Sequence, residues 1–159
     1  MSEVPAVHVR PMTQEEFDDW QGTTLEQYAL DVAEARGIAV EDARPLAEAS
    51  HRQYLPEGLA TKGVHIVVGQ DDDGEKVGIL WLGPNPNGVG PMWIYEIEVI
   101  DERRGQGWGR ALMGEAERIA RQDGYAEIGL NVFGSNAIAR GLYESLGYIT
   151  GSIQMRKAL

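Results

Sequence analysis

Arg103-Arg104-Gly105-Gln106-Gly107-Trp108-Gly109-Arg110 decides how this 159-residue chain is read. The octet follows a run rich in aromatic and β-branched residues, Met92 to Ile100, and opens a segment in which Trp108, Leu112, Ala116 and Ile119 recur at helical spacing. The pattern predicts a strand, a turn, and a helix over 106–123 stopped by Gly124. Glycines at 105, 107 and 109 remove side chains where an anion can approach the backbone. A helix N-terminus adds N–H groups without intrahelical acceptors and the positive end of the peptide dipoles. Arg103, Arg104 and Arg110 contribute three positive charges, and the octet holds no acid. The turn therefore predicts a site for a phosphorylated ligand. Two other phosphate loops do not fit. A Walker A loop needs Gly-Lys before Ser or Thr, which this chain lacks. A G-x-G-x-x-G fingerprint meets Arg110 where its third glycine is due.

Outward from the turn, strand and helix patterns alternate. Towards the N-terminus, Val7 to Arg10 reads as a strand stopped by Pro11, and Thr13-x-x-Glu16 as a capping box opening a short helix. Gly22 interrupts that helix, Thr23-x-x-Glu26 starts another, and Gly37 stops it. A further helix is expected over 42–53, with Pro45 in its first turn. Val64 to Val68 and Lys76 to Leu82 read as a β-hairpin whose turn, Asp71-Asp72-Asp73-Gly74, is solvated. Gly83 to Pro91 must be loop. Towards the C-terminus, Ile128, Leu130 and Val132 alternate as a strand, Asn136 to Leu146 is a helix closed by Gly147, and one or two strands follow over 148–157. The order β, α, α, β, β, β, α, β, α, β implies a mixed α/β layered fold around one sheet, and the length suits a single domain over 1–159.

Composition bounds the partners. Lys and Arg total 14 against 25 Asp and Glu, a formal charge of −11. That balance argues against nucleic acid and anionic membrane surfaces as unaided partners. With no cysteine, disulfides, Cys-based zinc sites and thiol nucleophiles are excluded together. The three histidines are too dispersed for a metal site, so no metal is expected. No apolar stretch reaches the roughly 18–20 residues of a membrane span, and the first residues do not resemble a secretory signal. A cytoplasmic location is the simplest expectation.

The segment Arg104-Gly105-Gln106-Gly107-Trp108-Gly109 resembles the Q/R-x-x-G-x-G/A acyl-CoA motif of the GCN5-related N-acetyltransferases (GNAT). Asn136-Ala137-Ile138-Ala139-Arg140-Gly141-Leu142-Tyr143-Glu144-Ser145-Leu146-Gly147-Tyr148 resembles the second signature of that family, N-x-x-A-x-x-L-Y-x-x-x-G-F/Y. The two occur in the family's order, within a resembling region of about residues 92–157. The resemblance implies a mostly antiparallel central sheet flanked by helices, and acetyl transfer from acetyl-CoA to a primary amine. It places the CoA pyrophosphate on Arg104, Gly105, Gln106, Gly107, Trp108, Gly109 and Arg110, the pantetheine arm beside Val99, and Asn136 against that arm. It makes Tyr143 the general acid near the thioester sulfur. Members are often dimers, which leaves a homodimer open. A non-catalytic acyl-CoA-binding or sensing module is the alternative, although such a module needs neither the tyrosine nor the base considered next.

An amine must be neutral to attack. One with a pKa near 10.4 is neutral in only about one molecule in 2,500 at pH 7. A carboxylate helps, directly or through water. Glu96 and Glu98 lie in Trp93-Ile94-Tyr95-Glu96-Ile97-Glu98-Val99, where a regular strand turns both to one face and Trp93, Tyr95, Ile97 and Val99 to the other. Glu96, further upstream of Val99, is preferred as base, with Glu98 orienting the amine; a solvated pair that only attracts a cation is the competing reading. A bulge would alter the parity. Asn131 is a candidate border of the cofactor cleft. Trp20, Tyr28 and Tyr54 read by default as core aromatics, otherwise as lining of the acceptor side. The acceptor itself, small molecule or peptide, stays open.

Overall fold

The computed structural model describes residues 3–159. One sheet holds β1 (His8–Pro11), β2 (His65–Gln70), β3 (Lys76–Gly83), β4 (Met92–Val99) and β5 (Ile128–Leu130), side by side in that order. β1 to β4 are antiparallel neighbours, and β5 runs parallel to β4. The helices are α1 (Gln14–Arg36), α2 (Val40–Tyr54), α3 (Trp108–Gln122) and α4 (Ala137–Ser145). The class is the expected one: mixed α/β with a mostly antiparallel sheet and flanking helices. The chain divides into two compact units, the segment ending at Phe17 with Glu57–Asn131, and Asp18–Pro56 with Val132–Leu159.

The first unit is built on the sheet and α3. Parallel strands cannot be joined by a tight turn, so the chain crosses from β4 to β5 through α3. The helix buries Trp108, Ala111, Leu112, Ala116, Ile119 and Ala120, one face at helical spacing. It lies close because Gly69 of β2 and Gly78 of β3 are cross-strand partners. A Cβ at Gly69 would come within 2.7 Å of the Leu112 side chain, and one at Gly78 within 2.8 Å. A Cβ at Gly78 would also overlap the carbonyl of Glu98. β1 accepts Pro11 because it is an edge strand.

In the second unit, Ala29, Val32 and Ala33 of α1 pack on Ala43 and Ala47 of α2, with Phe133 against the same cluster. Arg44 holds Glu26 through Nε at 3.1 Å and Nη2 at 2.9 Å. α1 ends in a Schellman motif: the Gly37 N–H bonds to Glu34 O and the Ile38 N–H to Ala33 O. The guanidinium of Arg156 lies over this end and donates to Ala35 O at 3.0 Å and Glu34 O at 2.9 Å, complementing the helix dipole.

Three expectations are corrected. The two N-terminal helices are one helix of 23 residues, because Gly22 costs an exposed helix only about 1 kcal/mol. Thr23-x-x-Glu26 therefore caps nothing: it lies inside α1, and Glu26 serves Arg44 instead. Pro45 lies in the interior of α2 rather than its first turn, so its missing N–H leaves the Glu41 carbonyl without the usual helical donor. The terminal strands over 148–157 do not form. Their alternating Ile149, Ile153 and Met155 are exposed, and no neighbouring strand supplies a ladder. Period-two sequence without a pairing edge is insufficient.

The first capping box does form. Thr13 Oγ1 accepts from the Glu16 N–H at 3.2 Å, and the Thr13 N–H donates to Glu16 Oε2 at 2.9 Å. Arg10 grips the same carboxylate at 2.8 and 2.7 Å. Arg10, and after it Thr13, lowers the Glu16 pKa to about 2. A depressed carboxylate favours the fold above its unfolded value of 4.5 and loses that contribution as pH falls towards 2. Glu16→Gln should therefore lower the urea midpoint at pH 7, with the gap from wild type shrinking between pH 4.5 and 2. Gly78→Ala should destabilise by about 1–3 kcal/mol in the same assay, the cost of overpacking against backbone.

Candidate functional site at the β4–α3 turn

Beyond β4 the chain makes a short 3-10 turn, Asp101–Arg103, and then the glycine turn. Gly105 has φ +73° and Gly107 φ +90°, both in the region that glycine enters without strain. Gly107 is the N-cap of α3 and no side chain caps this end. The N–H groups of Trp108, Gly109 and Arg110 precede the first intrahelical bond, from the Ala111 N–H to Gly107 O at 3.1 Å. The turn thus presents the backbone N–H groups of a helix N-terminus, a dipole end and no Cβ at its two tightest points. Arg104 reaches back, with Nη2 3.0 Å from Asp101 Oδ1 and Nε donating to Val99 O at 3.4 Å. Gln106 donates to Glu102 O at 3.2 Å.

β5 pairs only with Met92, Trp93 and Ile94. From Tyr95 onward, the edge of β4 turned away from β3 carries no strand. That open edge ends at Val99, beside the turn, and an extended ligand arm with amide groups can pair there as a strand would.

β4 also contains a bulge. Trp81 pairs with Glu96 and Leu82 with Ile94, leaving Tyr95 as the extra residue. Glu96 and Glu98 share a face as expected, opposite Trp81 and Ile79. Tyr95 does not oppose them: its ring stacks on Trp81 with centroids 4.8 Å apart, on the face that carries Glu96. The regular-strand parity is corrected for Tyr95 and also for Trp93, which pairs with Gly83 on the Trp81 face, since a bulge turns two consecutive side chains to one side. The Tyr95 hydroxyl donates to Pro84 O at 2.5 Å, fastening the loop before β4.

Asn136 and Tyr143 belong to the second unit. Asn136 is the N-cap of α4; its Oδ1 accepts from the Ala139 N–H at 3.2 Å. α4 closes in a Schellman motif, with the Gly147 N–H to Glu144 O and the Tyr148 N–H to Tyr143 O. This closure sets Tyr148 over Tyr143, ring centroids 6.0 Å apart. Tyr148 as a support for Tyr143 escaped the sequence reading, although the signal was present in the Gly-aromatic pair that ends the helix. Trp20 is buried as a core aromatic and Tyr54 is half-buried, whereas Asn131 and Tyr28 are exposed, which corrects the core reading of Tyr28. Among the described residues, no helix is long and apolar enough to cross a membrane.

The acetyltransferase (GNAT) family matches residues 40–148, more than half of the chain. Over 154 residues the chain is 29% identical to YycN, an uncharacterized N-acetyltransferase of Bacillus subtilis (strain 168), covering 96% of this chain and 99% of that protein. It is 27% identical over 155 residues to YdgE, an uncharacterized N-acetyltransferase of the same organism, covering 97% and 99%. The crystal structure of YycN has a TM-score of 0.89, covering 97% of this chain and 99% of that chain. An aminoglycoside 6′-N-acetyltransferase of Acinetobacter baumannii, at 17% identity and a TM-score of 0.57 over 97% and 99% of the two chains, shows likeness of fold alone.

Gly107→Ala tests the turn. The added Cβ sits at φ +90° and 3.0 Å from Pro5, so the turn must shift. Calorimetric titration with CoA should show affinity falling about tenfold or more, while α3 stays folded by circular dichroism.

Proposed function

Because this chain belongs to the acetyltransferase (GNAT) family, we propose that it moves the acetyl group of acetyl-CoA directly to a primary amine, with both substrates bound at once. The observation that carries this reading is the uncapped, glycine-lined N-terminus of α3 beside the strand-free edge of β4. The two features suit the two chemically different parts of the donor. The N–H groups of Gly105 to Arg110 hold the pyrophosphate, with Arg104 and Arg110 adding charge. The backbone near Val99 takes the pantetheine arm, and the Asn136 amide donates to it.

Acetyl-CoA supplies an activated acyl carbon with a thiolate as leaving group. Glu96 removes a proton from the acceptor ammonium, directly or through one water, and Glu98 orients that amine. The amine nitrogen then bonds to the acyl carbon as the carbon–sulfur bond breaks. Tyr143 gives its hydroxyl proton to the departing sulfur; a phenol of reference pKa near 10 is protonated at neutral pH and matches a thiol of about 8.5. The nitrogen sheds its second proton as the amide forms, and that proton passes through solvent to restore Tyr143; the proton taken by Glu96 is released to solvent, so one proton leaves per turnover and the cycle balances. No acyl-enzyme is needed, consistent with a chain lacking cysteine. The acceptor is a small molecule or a peptide that arrives as a cation, and the charge of −11 favours its approach. The reading includes a cytoplasmic location and no metal.

Initial velocities with an amine panel should give intersecting lines, whereas parallel, ping-pong lines overturn direct transfer. Tyr143→Phe should lower kcat about 100-fold or more. Glu96→Gln should displace the pH–rate profile towards alkali, where the amine is neutral unaided; an unchanged profile removes Glu96 from the base role. With a cationic acceptor at low concentration, added salt should slow turnover.

A further inference from the structure

Three arginines flank the glycine turn in the sequence, but Arg103 is already engaged. Its Nη2 donates to Asp71 Oδ2 in the β2–β3 hairpin, across 32 positions of chain. The pair is shielded, with side chains 27% and 14% exposed. The same guanidinium lies over the Trp108 ring, 5.6 Å from its centroid. Asp71 is rigid in turn: its Oδ1 accepts from the Asp73 N–H at 3.0 Å and the Glu75 N–H at 2.9 Å. The Glu75 amide, helped by Arg103, holds the Asp71 carboxyl below the ordinary carboxylate range. Trp108 is the first residue of α3 and is packed on Val77 and Ala111. Its indole Nε1 has no hydrogen-bond partner among the described residues, so packing and the Arg103 cation set the ring's position.

We propose that Asp71 is a positioning residue for the pyrophosphate turn, acting through Arg103 on Trp108 and so on the first N–H groups of α3. The inference rests on the donor reading of that turn. The hairpin aspartate makes an electrostatic strut. It neutralises the arginine of the octet that lies over the Trp108 ring, and it fixes the residue on which the helix starts. Arg104 and Arg110 then carry the charge that the anion meets.

The test is a double-mutant cycle read by calorimetric titration of CoA and by steady-state kinetics. Asp71→Asn keeps an oxygen for the Asp73 and Glu75 N–H groups but loses the ion pair. It should weaken CoA binding and raise the acetyl-CoA KM about fivefold to tenfold, with kcat and the acceptor KM within twofold of wild type. Arg103→Gln should cost about as much, and the double variant no more than either. A merely structural role would lower Tm without separating the donor KM from kcat. If wild type binds CoA and Asp71→Asn binds it equally or more tightly, the inference is overturned, because a released Arg103 is then a direct phosphate ligand. Additive losses overturn it as well. Wild type that binds no CoA overturns the donor reading on which it rests.

Discussion

Parallel pairing between β4 and β5 is the constraint from which the rest of the first unit follows. It forces a crossover, the crossover is α3, and the helix must begin where β4 ends. The C-terminal ends of parallel strands are where helix N-termini collect, which makes them natural anion sites. The helix then has to lie close to a twisted sheet. That approach is bought by the glycine pair 69 and 78 beneath Leu112, positions at which any side chain would lift the helix. A helix N-terminus at the end of β4 is therefore a by-product of topology, shaped by glycines at 105 and 107.

Electrostatics divides the turn in two. Arg104, 68% exposed beside Asp101, is an ion pair of the kind that contributes little to stability and is easily rearranged when a ligand arrives. Arg103, shielded with Asp71, resists such rearrangement. One arginine is exposed and the other is shielded within the scaffold, although in sequence they are adjacent. Burial rather than residue type assigns their parts.

Several local features are legible in the sequence, although Thr23-x-x-Glu26 shows that a local signal can be overridden. The Thr13–Glu16 capping box, the 71–74 hairpin turn and the glycine stops at 37, 124 and 147 all depend on bonds spanning a few residues. The form of the glycine turn was legible because it rests on local backbone geometry, with Gly105 and Gly107 at positive φ. What escaped was long-range. Nothing near Asp71 announces a partner 32 positions away, and the tripeptide Asp71-Asp72-Asp73 reads as solvent-facing from its own composition. The residues 148–157 erred in the opposite direction: alternation was present, but strand formation is a property of two segments. Gly22 and Pro45 show packing overriding propensity, with penalties of about 1 and 3 kcal/mol tolerated inside helices that bury alanines against one another.

The Tyr95 bulge governs how the loop before β4 is anchored. Without the extra residue, β4 would alternate regularly and Glu96 would keep its face, so the bulge is not what aims the carboxylate. Its product is Tyr95 itself, stacked on Trp81 and fastened to the Pro84 carbonyl at the root of the loop before β4. The loop hangs from a peg driven into β4. Its outer part, Asn87 to Gly90, is exposed and lies beyond that anchor. One inserted residue thereby ties the loop to the strand without changing the face on which Glu96 lies.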